Sequence, residues 1–338
     1  MNHMFSAQSA NRLFRVLVIG GGGFIGGHVV SALRRAGAGV RVLDAAPPPA
    51  KNGGLDWITG SVSDGTLVAS SIGGCDAVIF LANASLPGSS QGDLAREAAG
   101  HVGTTLNVAE ICAEQGVGRF LFASSGGTVY GHDAPAGGIG EDSPTNPLNG
   151  YGVSKLSIEH YLRIMGARGQ MRTLSLRISN PYGEGQRAHR AQGVVAAAMQ
   201  HAMADTVMPI WGDGSVERDF IHVEDVAAAF CAGLCHEGPS SVINIGSGKA
   251  LSIRYILQAT RRYTGRALVA DFQADRSIDV HRNVLNISRA AIELNWTPQI
   301  DIDHGLERTA RWWKLSEVGN PDALMRGHRN PQAAPVHV

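Results

Sequence analysis

A run of glycines between a short apolar stretch and a helical pattern constrains this chain more than any other feature. Residues 16–19 read Val-Leu-Val-Ile, which is typical of a strand buried on both faces of a parallel sheet. Residues 20–23 are four glycines, and apolar residues then recur at helical spacing from Phe24 to Leu33. The stretch therefore predicts a strand, a tight turn and a helix in immediate succession.

The glycine spacing suits a turn that holds a pyrophosphate at a helix N-terminus. Gly20, Gly23 and Gly26 fit G-x-x-G-x-x-G, while Gly21, Gly23 and Gly26 fit G-x-G-x-x-G. Where side chains are absent, free backbone N–H groups and the positive end of the helix dipole can approach the phosphate charge. Gly26 would also let the helix pack close to the first strand. A purely structural strand–helix turn is the alternative.

An acid at the end of the next predicted strand favours the dinucleotide interpretation. Residues 40–44 read Val-Arg-Val-Leu-Asp, and Asp44 comes 18 residues after Gly26. A carboxylate there would accept hydrogen bonds from the adenosine ribose hydroxyls and would repel a 2′-phosphate. No arginine stands between Asp44 and Pro47, so the sequence favours NAD over NADP.

The charge balance argues against two classes of partner. The chain has 338 residues, 44% of them apolar, and its 29 basic side chains equal its 29 acidic ones. A zero net charge gives no general attraction to nucleic acid or to an acidic membrane surface, so we expect neither partner.

Neither an apolar leader nor a membrane-length stretch is evident, and we expect a cytoplasmic location.

Cysteines and histidines show no metal-site spacing. Cys75, Cys112, Cys231 and Cys235 lack C-x-x-C spacing, and although the last two would share a helix face, we expect buried reduced thiols. The 13 histidines are scattered without paired ligand spacing, so we expect no metal.

Strand-like and helix-like segments alternate along most of the chain. This alternation predicts an α/β fold, a doubly wound parallel sheet of Rossmann type with helices on both faces and a smaller mixed C-terminal lobe. After the first two strands, the predicted elements are strands at 55–59, 77–82, 120–123 and 173–177 and helices at 93–115, 151–168 and 224–235.

The change in composition after Asn180 predicts two domains. The dinucleotide-binding domain is predicted over residues 15–180, with later segments returning to it, and the mainly substrate-binding lobe over residues 181–325. The polar segments 1–14 and 326–338 are predicted to be a loosely ordered N-terminus and a flexible tail.

Tyr151 and Lys155 are the candidate acid–base pair. They form Y-x-x-x-K near the start of a predicted helix, so the phenol and the ammonium share one helix face. A phenol of pKa ~10 is a poor base at neutral pH. A cation about 6 Å away contributes roughly 3 kcal/mol at an effective dielectric of about 20, which lowers that pKa by about 2. An oxidised nicotinamide would add to this effect and favour general acid–base catalysis. A surface Tyr–Lys pair is the alternative.

These features belong to a longer, ordered series of motifs that covers roughly residues 15–314. The series resembles the extended short-chain dehydrogenase/reductase superfamily, specifically the NAD-dependent nucleotide-sugar epimerase/dehydratase family. The motifs are Gly-Gly-Gly-Phe-Ile-Gly at 21–26, Ser-Ser-Gly-Gly-Thr-Val-Tyr-Gly at 124–131, Tyr-Gly-Val-Ser-Lys at 151–155, Arg-Ile-Ser-Asn-Pro-Tyr-Gly at 177–183, Trp-Gly-Asp-Gly at 211–214, Arg-Asp-Phe-Ile-His-Val at 218–223 and Leu-Asn-Trp-Thr-Pro at 294–298.

The resemblance implies where NAD binds. Phe24 and Ile25 would lie at the pyrophosphate together with the glycines, and Asp44 at the adenosine ribose. Tyr151 and Lys155 would lie at the nicotinamide end, where Lys155 would also hold the ribose. The remaining implied cofactor contacts are Ser61, Val62, Leu81, Ala82 and Ser179.

The resemblance also implies the site of a nucleoside-diphosphate sugar. Asn180, Arg218 and Arg276 match positions that hold the diphosphate, a group that suits a guanidinium fork. Asp279 matches an acid near the nucleotide ribose. Asn283 falls where the family sets room for the group on C2 of the sugar. Since asparagine is small and can bond an amide, we expect N-acetylhexosamines to be tolerated alongside hexoses. The alternative is a turn residue that points at solvent.

Four departures from the family pattern matter. Gly126 stands where a serine or threonine is usual, so that hydroxyl role must fall to Ser125 or Thr128, and we favour Ser125. The same loop lacks the Thr-Asp-Glu of dehydratases, and with it the acid–base pair that expels water. Ser61 replaces an adenine-binding aspartate and Gly100 replaces a frequent asparagine, which would weaken cofactor binding without touching the hydride chemistry.

The expected activity is epimerisation at C4 of a nucleoside-diphosphate sugar, a UDP-hexose or UDP-N-acetylhexosamine, through a 4-keto intermediate. The alternatives are a nucleotide-sugar oxidoreductase or ketoreductase, another family member that forms a keto sugar, and a non-catalytic dinucleotide-sensing regulator. The family also implies a homodimer through the helices predicted at 93–115 and 151–168.

Overall fold

A computed structural model of the chain describes residues 13–49, 53–83, 94–187, 193–274 and 280–319. Its largest sheet has seven parallel strands, which are β1 (Arg15–Ile19), β2 (Gly39–Asp44), β3 (Asp56–Thr59), β4 (Ala77–Phe80), β5 (Arg119–Ser125), β6 (Arg172–Ile178) and β10 (Val242–Ile245). Their order across the sheet is β10-β6-β5-β4-β1-β2-β3.

Helices cover both faces of this sheet, which explains why its central strands are apolar on both sides. One face carries α1 (Phe24–Arg35), α7 (Val223–Gly233) and α9 (Ser288–Glu293). The other face carries α2 (Gly65–Ile72), α4 (Thr104–Glu114) and α5 (Gly150–Ala167). The short helix α3 (Leu94–Glu97) and a π-helical turn (Ala98–Gly103) lead directly into α4. The predicted Rossmann-type α/β fold is confirmed.

A second hydrophobic core lies in the C-terminal half, between α6 (Val194–Ala204), α8 (Ile253–Thr264) and α10 (Ile302–Gly319). Beside it, β9 (Glu217–His222) pairs with three short strands, and a separate two-stranded sheet is parallel. The partners of β9 are β7 (Asn180–Tyr182), β11 (Ala250–Ser252) and β13 (Arg282–Asn283), and the separate pair is β8 (Met208–Trp211) with β12 (Ala270–Gln273).

The chain leaves the large sheet and later returns to it. Only Ser179 separates β6 from β7, so the polypeptide passes from the large sheet into the smaller one within one residue. Both α7 and β10 come from sequence after residue 180. Even so, α7 packs against the large sheet and β10 pairs with β6 within it. The predicted tail, and the predicted N-terminal segment apart from residues 13 and 14, lie outside the described residues.

One predicted helix is not uniform. The segment predicted as a helix over 93–115 contains the π-helical turn between α3 and α4, and residue 93 lies outside the described part. Such turns are rare and frequently occur at functional sites. Hydrophobic periodicity does not reveal such a turn, because six residues are too few to show a period different from that of the adjoining α-helices.

Over the part of the chain that the structure describes, no helix combines the length and the apolar character needed to cross a membrane. The same residues contain no group of three or more His, Cys, Asp or Glu side chains that would hold a metal ion. All four cysteines are free, and burial raises the pKa of the Cys112 and Cys231 thiols to about 12. The expectation of a buried thiol is wrong for Cys235, which lies two residues after the end of α7 and is exposed.

Candidate active site

The glycine turn after β1 leaves no room for side chains. Gly20 has φ +85°, and a Cβ there would lie 2.8 Å from the backbone nitrogen of Ala82. A Cβ on Gly26 would lie 2.1 Å from the Gly20 carbonyl oxygen, so α1 packs against the turn as closely as its glycine allows. Gly23 is the N-cap of α1, and no side chain caps this helix. The first N–H groups of α1 are therefore available to a phosphate.

Asp44 lies beside this turn at the end of β2. Its Oδ2 accepts a hydrogen bond from the Gly22 N–H at 2.8 Å, and its Oδ1 accepts one from the Ala46 N–H at 2.8 Å. Phe24 and Ile25 begin the uncapped helix. A bare turn, an open helix N-terminus and a fixed carboxylate together fit the pyrophosphate and adenosine ribose of NAD.

Leu81 and Ala82 follow β4, which is the neighbour of β1 on the side where the strand order reverses. The Leu81 N–H donates to the Ile19 carbonyl at 2.9 Å, so this segment borders the glycine turn. Ligands of open α/β sheets bind in the crevice at such a switch point. Both residues therefore lie at the switch point of the sheet, beside the glycine turn.

The other predicted cofactor contacts are less directly supported. Ser61 and Val62 lie in the loop after β3, where the exposed Ser61 accepts a hydrogen bond from the Ser63 N–H at 3.2 Å. Ser179 is buried, and its hydroxyl donates to Asp219 Oδ1 at 3.3 Å. The Ser179 hydroxyl is thus already bonded within the protein.

Tyr151 and Lys155 lie in the first turns of α5, whose N-cap is Asn149. The Asn149 Oδ1 accepts a hydrogen bond from the Gly152 N–H at 2.8 Å, which fixes the start of the helix. The Lys155 Nζ lies 5.3 Å from the centroid of the Tyr151 ring, and both side chains are buried. The alternative of a surface pair is therefore wrong.

Two acceptors hold the Lys155 ammonium. The Nζ donates to Asn83 Oδ1 at 2.6 Å and to the Ala123 carbonyl at 2.7 Å. Asn83 follows β4 and Ala123 belongs to β5, so the lysine joins two strand ends to α5. Asn83 is a site residue that the sequence interpretation missed, since a lone asparagine after a strand carries no distinctive spacing.

Burial dominates the protonation of this pair. It raises the pKa of Tyr151 above its ordinary value, and the Glu97 charge adds to that rise. It lowers the pKa of Lys155 to about 7, against the charges of Glu159 and Glu97. On balance the pKa of Tyr151 is therefore raised and not lowered, because burial penalises the phenolate more than the nearby ammonium stabilises it. The contribution expected from a nicotinamide stays a prediction.

The loop after β5 explains why a glycine replaces the usual hydroxyl residue. A Cβ on Gly126 would lie 2.6 Å from Leu285 Cδ1 and 3.1 Å from the Arg177 carbonyl oxygen, so a serine would clash. Ser125, at the end of β5, is partly exposed, and its hydroxyl has no partner among the described residues. The Thr128 hydroxyl is buried and likewise unpartnered within the described part. Exposure favours Ser125 as the hydroxyl that reaches a substrate.

Asn180 and Arg218 lie at one small cavity of about 40 Å³. Asn180 begins β7 and donates through Nδ2 to the Asp219 carbonyl at 3.1 Å. Arg218 is buried in β9 and donates through Nη1 to the Val280 carbonyl at 2.8 Å. Two of the four predicted diphosphate and nucleotide contacts are thus brought together, whereas Arg276 and Asp279 lie outside the described residues.

Gln186 lines the same cavity and was missed in the sequence. Its Nε2 donates to the Pro181 carbonyl at 3.0 Å, while its Oε1 is buried without a partner among the described residues. Gly193 has φ +77°, and a Cβ there would lie 2.7 Å from that Nε2. The amide is therefore packed in place, and its free acceptor suits an O–H or N–H donor of a ligand. No motif spacing singled it out.

Asn283 is buried, so the alternative of a solvent-facing turn residue is wrong. It belongs to β13 and is paired with Arg218 of β9. Its Nδ2 donates to the Gly126 carbonyl at 3.2 Å, and its Oδ1 is buried with no partner in the described part of the chain. Asn283 thus lies between the Ser125–Gly126 loop and the Arg218 cavity.

The Arg177–Glu159 ion pair is buried next to the site, and the sequence interpretation missed it too. Glu159 accepts hydrogen bonds from Arg177 at 2.7–3.1 Å and one from the Ser124 hydroxyl. Arg177 also donates to the Tyr130 hydroxyl oxygen at 2.9 Å. Since Glu159 follows Lys155 by four residues and Ser124 precedes Ser125, the pair ties α5 to the end of β5.

Comparisons with known proteins show what the chain is similar to. A family model described as the NAD dependent epimerase/dehydratase family matches residues 16–246. The dTDP-4-dehydro-6-deoxyglucose reductase of Escherichia coli is 34% identical over 232 residues, which are 68% of this chain and 72% of that protein. The UDP-glucose 4-epimerase of Mycolicibacterium smegmatis is 30% identical over 309 residues, which are 89% of this chain and 98% of that protein.

Solved structures of the same kind superpose on the chain. UDP-glucose 4-epimerase from Thermotoga maritima, solved with UDP-glucose, has a TM-score of 0.84 at 28% identity over 90% of this chain and 99% of its own. UDP-glucose 4-epimerase from Thermus thermophilus, solved with NAD, has a TM-score of 0.81 at 28% identity over 89% of this chain and 99% of its own. The chain belongs to the NAD-dependent epimerase/dehydratase family and is an NAD-dependent enzyme of the sugar-epimerase type.

Proposed function

We propose that the enzyme interconverts the C4 epimers of a UDP-hexose or UDP-N-acetylhexosamine through a 4-keto intermediate. The observation that carries the proposal is the arrangement around α5. The buried Lys155 of the Tyr151–Lys155 pair is bonded to the ends of β4 and β5, Ser125 ends β5 and is partly exposed, and β4 lies next to β1, which leads into the glycine turn. The similarity to UDP-glucose 4-epimerases over most of the chain supports the choice of substrate class.

In the proposed mechanism, Tyr151 as phenolate takes the proton of the 4-hydroxyl and later returns it. Ser125 bonds the same oxygen, and Thr128 is the alternative donor. Lys155, held by Asn83 and the Ala123 carbonyl, supplies the positive charge that favours the phenolate. The glycine turn and Asp44 would hold NAD, which when bound would supply the hydride acceptor and donor for C4.

The substrate-binding residues must hold the diphosphate while the keto sugar rotates to present its other face. Arg218 and Asn180 are the proposed anchors, together with Arg276 and Asp279 in the segment that the structure leaves undescribed. Gln186 offers its buried Oε1 to a sugar hydroxyl or amide N–H. Such anchors let the intermediate rotate about its diphosphate linkage without leaving the site.

Asn283 is proposed to determine how bulky a C2 substituent the pocket accepts. Its unpartnered Oδ1 is an acceptor that an N-acetyl N–H would satisfy. Near it, Gly127 leaves space for a substituent, since a Cβ there would lie 3.9 Å from Asn180 Oδ1 and 4.0 Å from the Ser125 hydroxyl oxygen. We therefore expect N-acetylhexosamine substrates to be used alongside plain hexoses.

Dehydration is not favoured. Expulsion of water from C5–C6 needs an acid–base pair on the loop after β5, and this chain has Gly126, Gly127 and Thr128 there. Neither glycine can donate or accept a proton through a side chain.

A reductase that consumes a keto sugar is the second candidate, because one relative is a dTDP-4-dehydro-6-deoxyglucose reductase.

The test is to incubate the purified protein separately with UDP-, GDP- and dTDP-sugars and to follow product stereochemistry by proton NMR. Formation of the C4 epimer of a UDP-sugar without net NADH change supports the proposal. Stoichiometric consumption or formation of NADH would instead assign the enzyme to the reductase or dehydrogenase class.

We also propose that the enzyme is a homodimer through α4 and α5. Val153, Tyr161 and Ile164 lie on one face of α5 and are each at least 40% exposed. Burial of that face against a second copy would remove apolar surface from water. Sedimentation velocity should give a dimer that Ile164→Glu dissociates, and a wild-type monomer at micromolar concentration would contradict the proposal.

A further inference from the structure

The turn after β7 adjoins both ligand regions of the proposed site. It covers residues 183–186 and is closed by a hydrogen bond of 3.3 Å from the Gln186 N–H to the carbonyl of its first residue. Gln186 lines the cavity proposed for the diphosphate. A Cβ on Gly185 would lie 4.0 Å from Phe24 Cδ2 and 3.9 Å from His28 Nε2, which belong to the first two turns of α1. The turn therefore connects the substrate cavity to the start of the cofactor-binding helix.

The backbone of Glu184 joins this turn to α1. His28 Nε2 lies 2.8 Å from the Glu184 carbonyl oxygen, which can only accept, so the imidazole donates this hydrogen bond. The His28 ring also contacts Phe24 edge to face, with ring centroids 6.0 Å apart. Phe24 is the first residue of α1, where uncapped N–H groups are available to the pyrophosphate. A displacement of Glu184 would therefore reach the cofactor site through His28.

The carboxylate of Glu184 fixes the same turn to the C-terminal lobe. Its Oε1 accepts a hydrogen bond from Arg308 Nε at 2.8 Å, and its Oε2 lies 3.0 Å from His222 Nε2. His222 Nδ1 accepts the Glu224 N–H at 3.3 Å, which places the ring proton on Nε2 and makes this nitrogen the donor to Glu184. His222 ends β9 and Arg308 belongs to α10. Donors from two different elements therefore engage both oxygens of the carboxylate.

Arg308 is shared between two carboxylates, which provides a comparison within the protein. It donates through Nε to Glu184 at 2.8 Å and through Nη2 to Glu224 at the same distance. Glu224 lies in the first turn of α7, and none of its hydrogen bonds among the described residues reaches the turn 183–186. Removal of either charge alters the surroundings of Arg308, but only Glu184 belongs to the turn.

We propose that Glu184 is a positioning residue that holds the turn 183–186 against α1 and so sets the affinities for NAD and for the sugar nucleotide together. It acts through His28 and Phe24 at the cofactor and through Gln186 at the substrate, and it touches neither ligand. The proposal rests on the proposed function for the role of Gln186 at the substrate.

Loss of the carboxylate should weaken the binding of both ligands. Glu184→Gln keeps the shape of the side chain, but its amide N–H must face Arg308 or His222, each of which directs a donor there. We expect the dissociation constants of NAD and of UDP-glucose each to rise about five- to tenfold. Isothermal titration calorimetry measures NAD binding to the protein and then UDP-glucose binding to the NAD-bound protein. Glu184→Ala is the second variant if the glutamine variant does not fold.

Glu224→Gln is the matched control, because it removes the other carboxylate from Arg308 and should leave both dissociation constants close to those of the wild type. Glu184 variants that bind either ligand as tightly as the wild type, or an equal weakening in Glu224→Gln, would overturn the proposal. A merely structural role would lower the urea midpoint of unfolding and leave the affinities of the folded protein unchanged. If the wild type does not bind UDP-glucose, the proposed substrate class is wrong, and the NAD titration then decides the role of Glu184.

Discussion

The buried ion pair beneath the catalytic helix gives a prediction about stability that can be worked from its geometry. Glu159→Gln keeps the shape of the side chain and removes its charge, which leaves the Arg177 guanidinium unpaired where its side chain is only 6% exposed. The wild-type carboxylate accepts three hydrogen bonds from Arg177 at 3.1 Å or less. Breaking a buried pair from one side costs about 3–5 kcal/mol of unfolding free energy.

Urea unfolding is followed by circular dichroism at a fixed NAD concentration. The loss of unfolding free energy should appear as a lower midpoint urea concentration, while the dependence of the unfolding free energy on urea concentration stays unchanged. Glu307→Gln is the control, since the pair of Glu307 with Arg311 is more than half exposed and should be worth at most about 1 kcal/mol. The double variant Glu159→Met, Arg177→Met should regain much of the loss, because it removes both charges together. A loss below about 1 kcal/mol in Glu159→Gln would refute the reasoning.

Two further predictions concern ligand choice. Asp44→Asn should reduce the ratio of NAD affinity to NADP affinity by about tenfold, since it removes ~1.4 kcal/mol of charge repulsion against a 2′-phosphate. If titration of the wild type gave equal affinities for NAD and NADP, Asp44 would not face the ribose. Asn283→Tyr should selectively reduce kcat/KM for N-acetylhexosamine substrates by a mismatch of ~1–3 kcal/mol, and an unchanged ratio between the two substrate classes would place Asn283 outside the sugar pocket.

The Rossmann core could be predicted from the sequence because its signals are local. The apolar run 16–19, the glycine turn and Asp44 specify strand, turn and second strand within 30 residues, and the structure has them in that order. The close packing expected from Gly26 is confirmed by the 2.1 Å that would separate its Cβ from the Gly20 oxygen. Such contacts form between neighbours in sequence, so the pattern carries them.

What the sequence did not reveal depends on contacts between distant residues. Leu285 fills the space beside Gly126, and Gln186 turns its amide into the cavity with Arg218, yet neither position has a periodic or motif signal. The effect of burial on the pKa of Tyr151 also could not be predicted from the sequence. Spacing placed Lys155 near the phenol but did not show that both side chains would lie away from water.

The central claim is that Tyr151 takes and returns the 4-hydroxyl proton of a UDP-sugar. The most direct measurement compares wild type with Tyr151→Phe, using proton NMR to follow epimer formation from UDP-glucose or UDP-N-acetylglucosamine, with NAD binding measured in parallel. We predict that NAD binding is largely kept while turnover falls by at least ~10², the range for a lost general base. Turnover like that of the wild type in the phenylalanine variant would contradict the account.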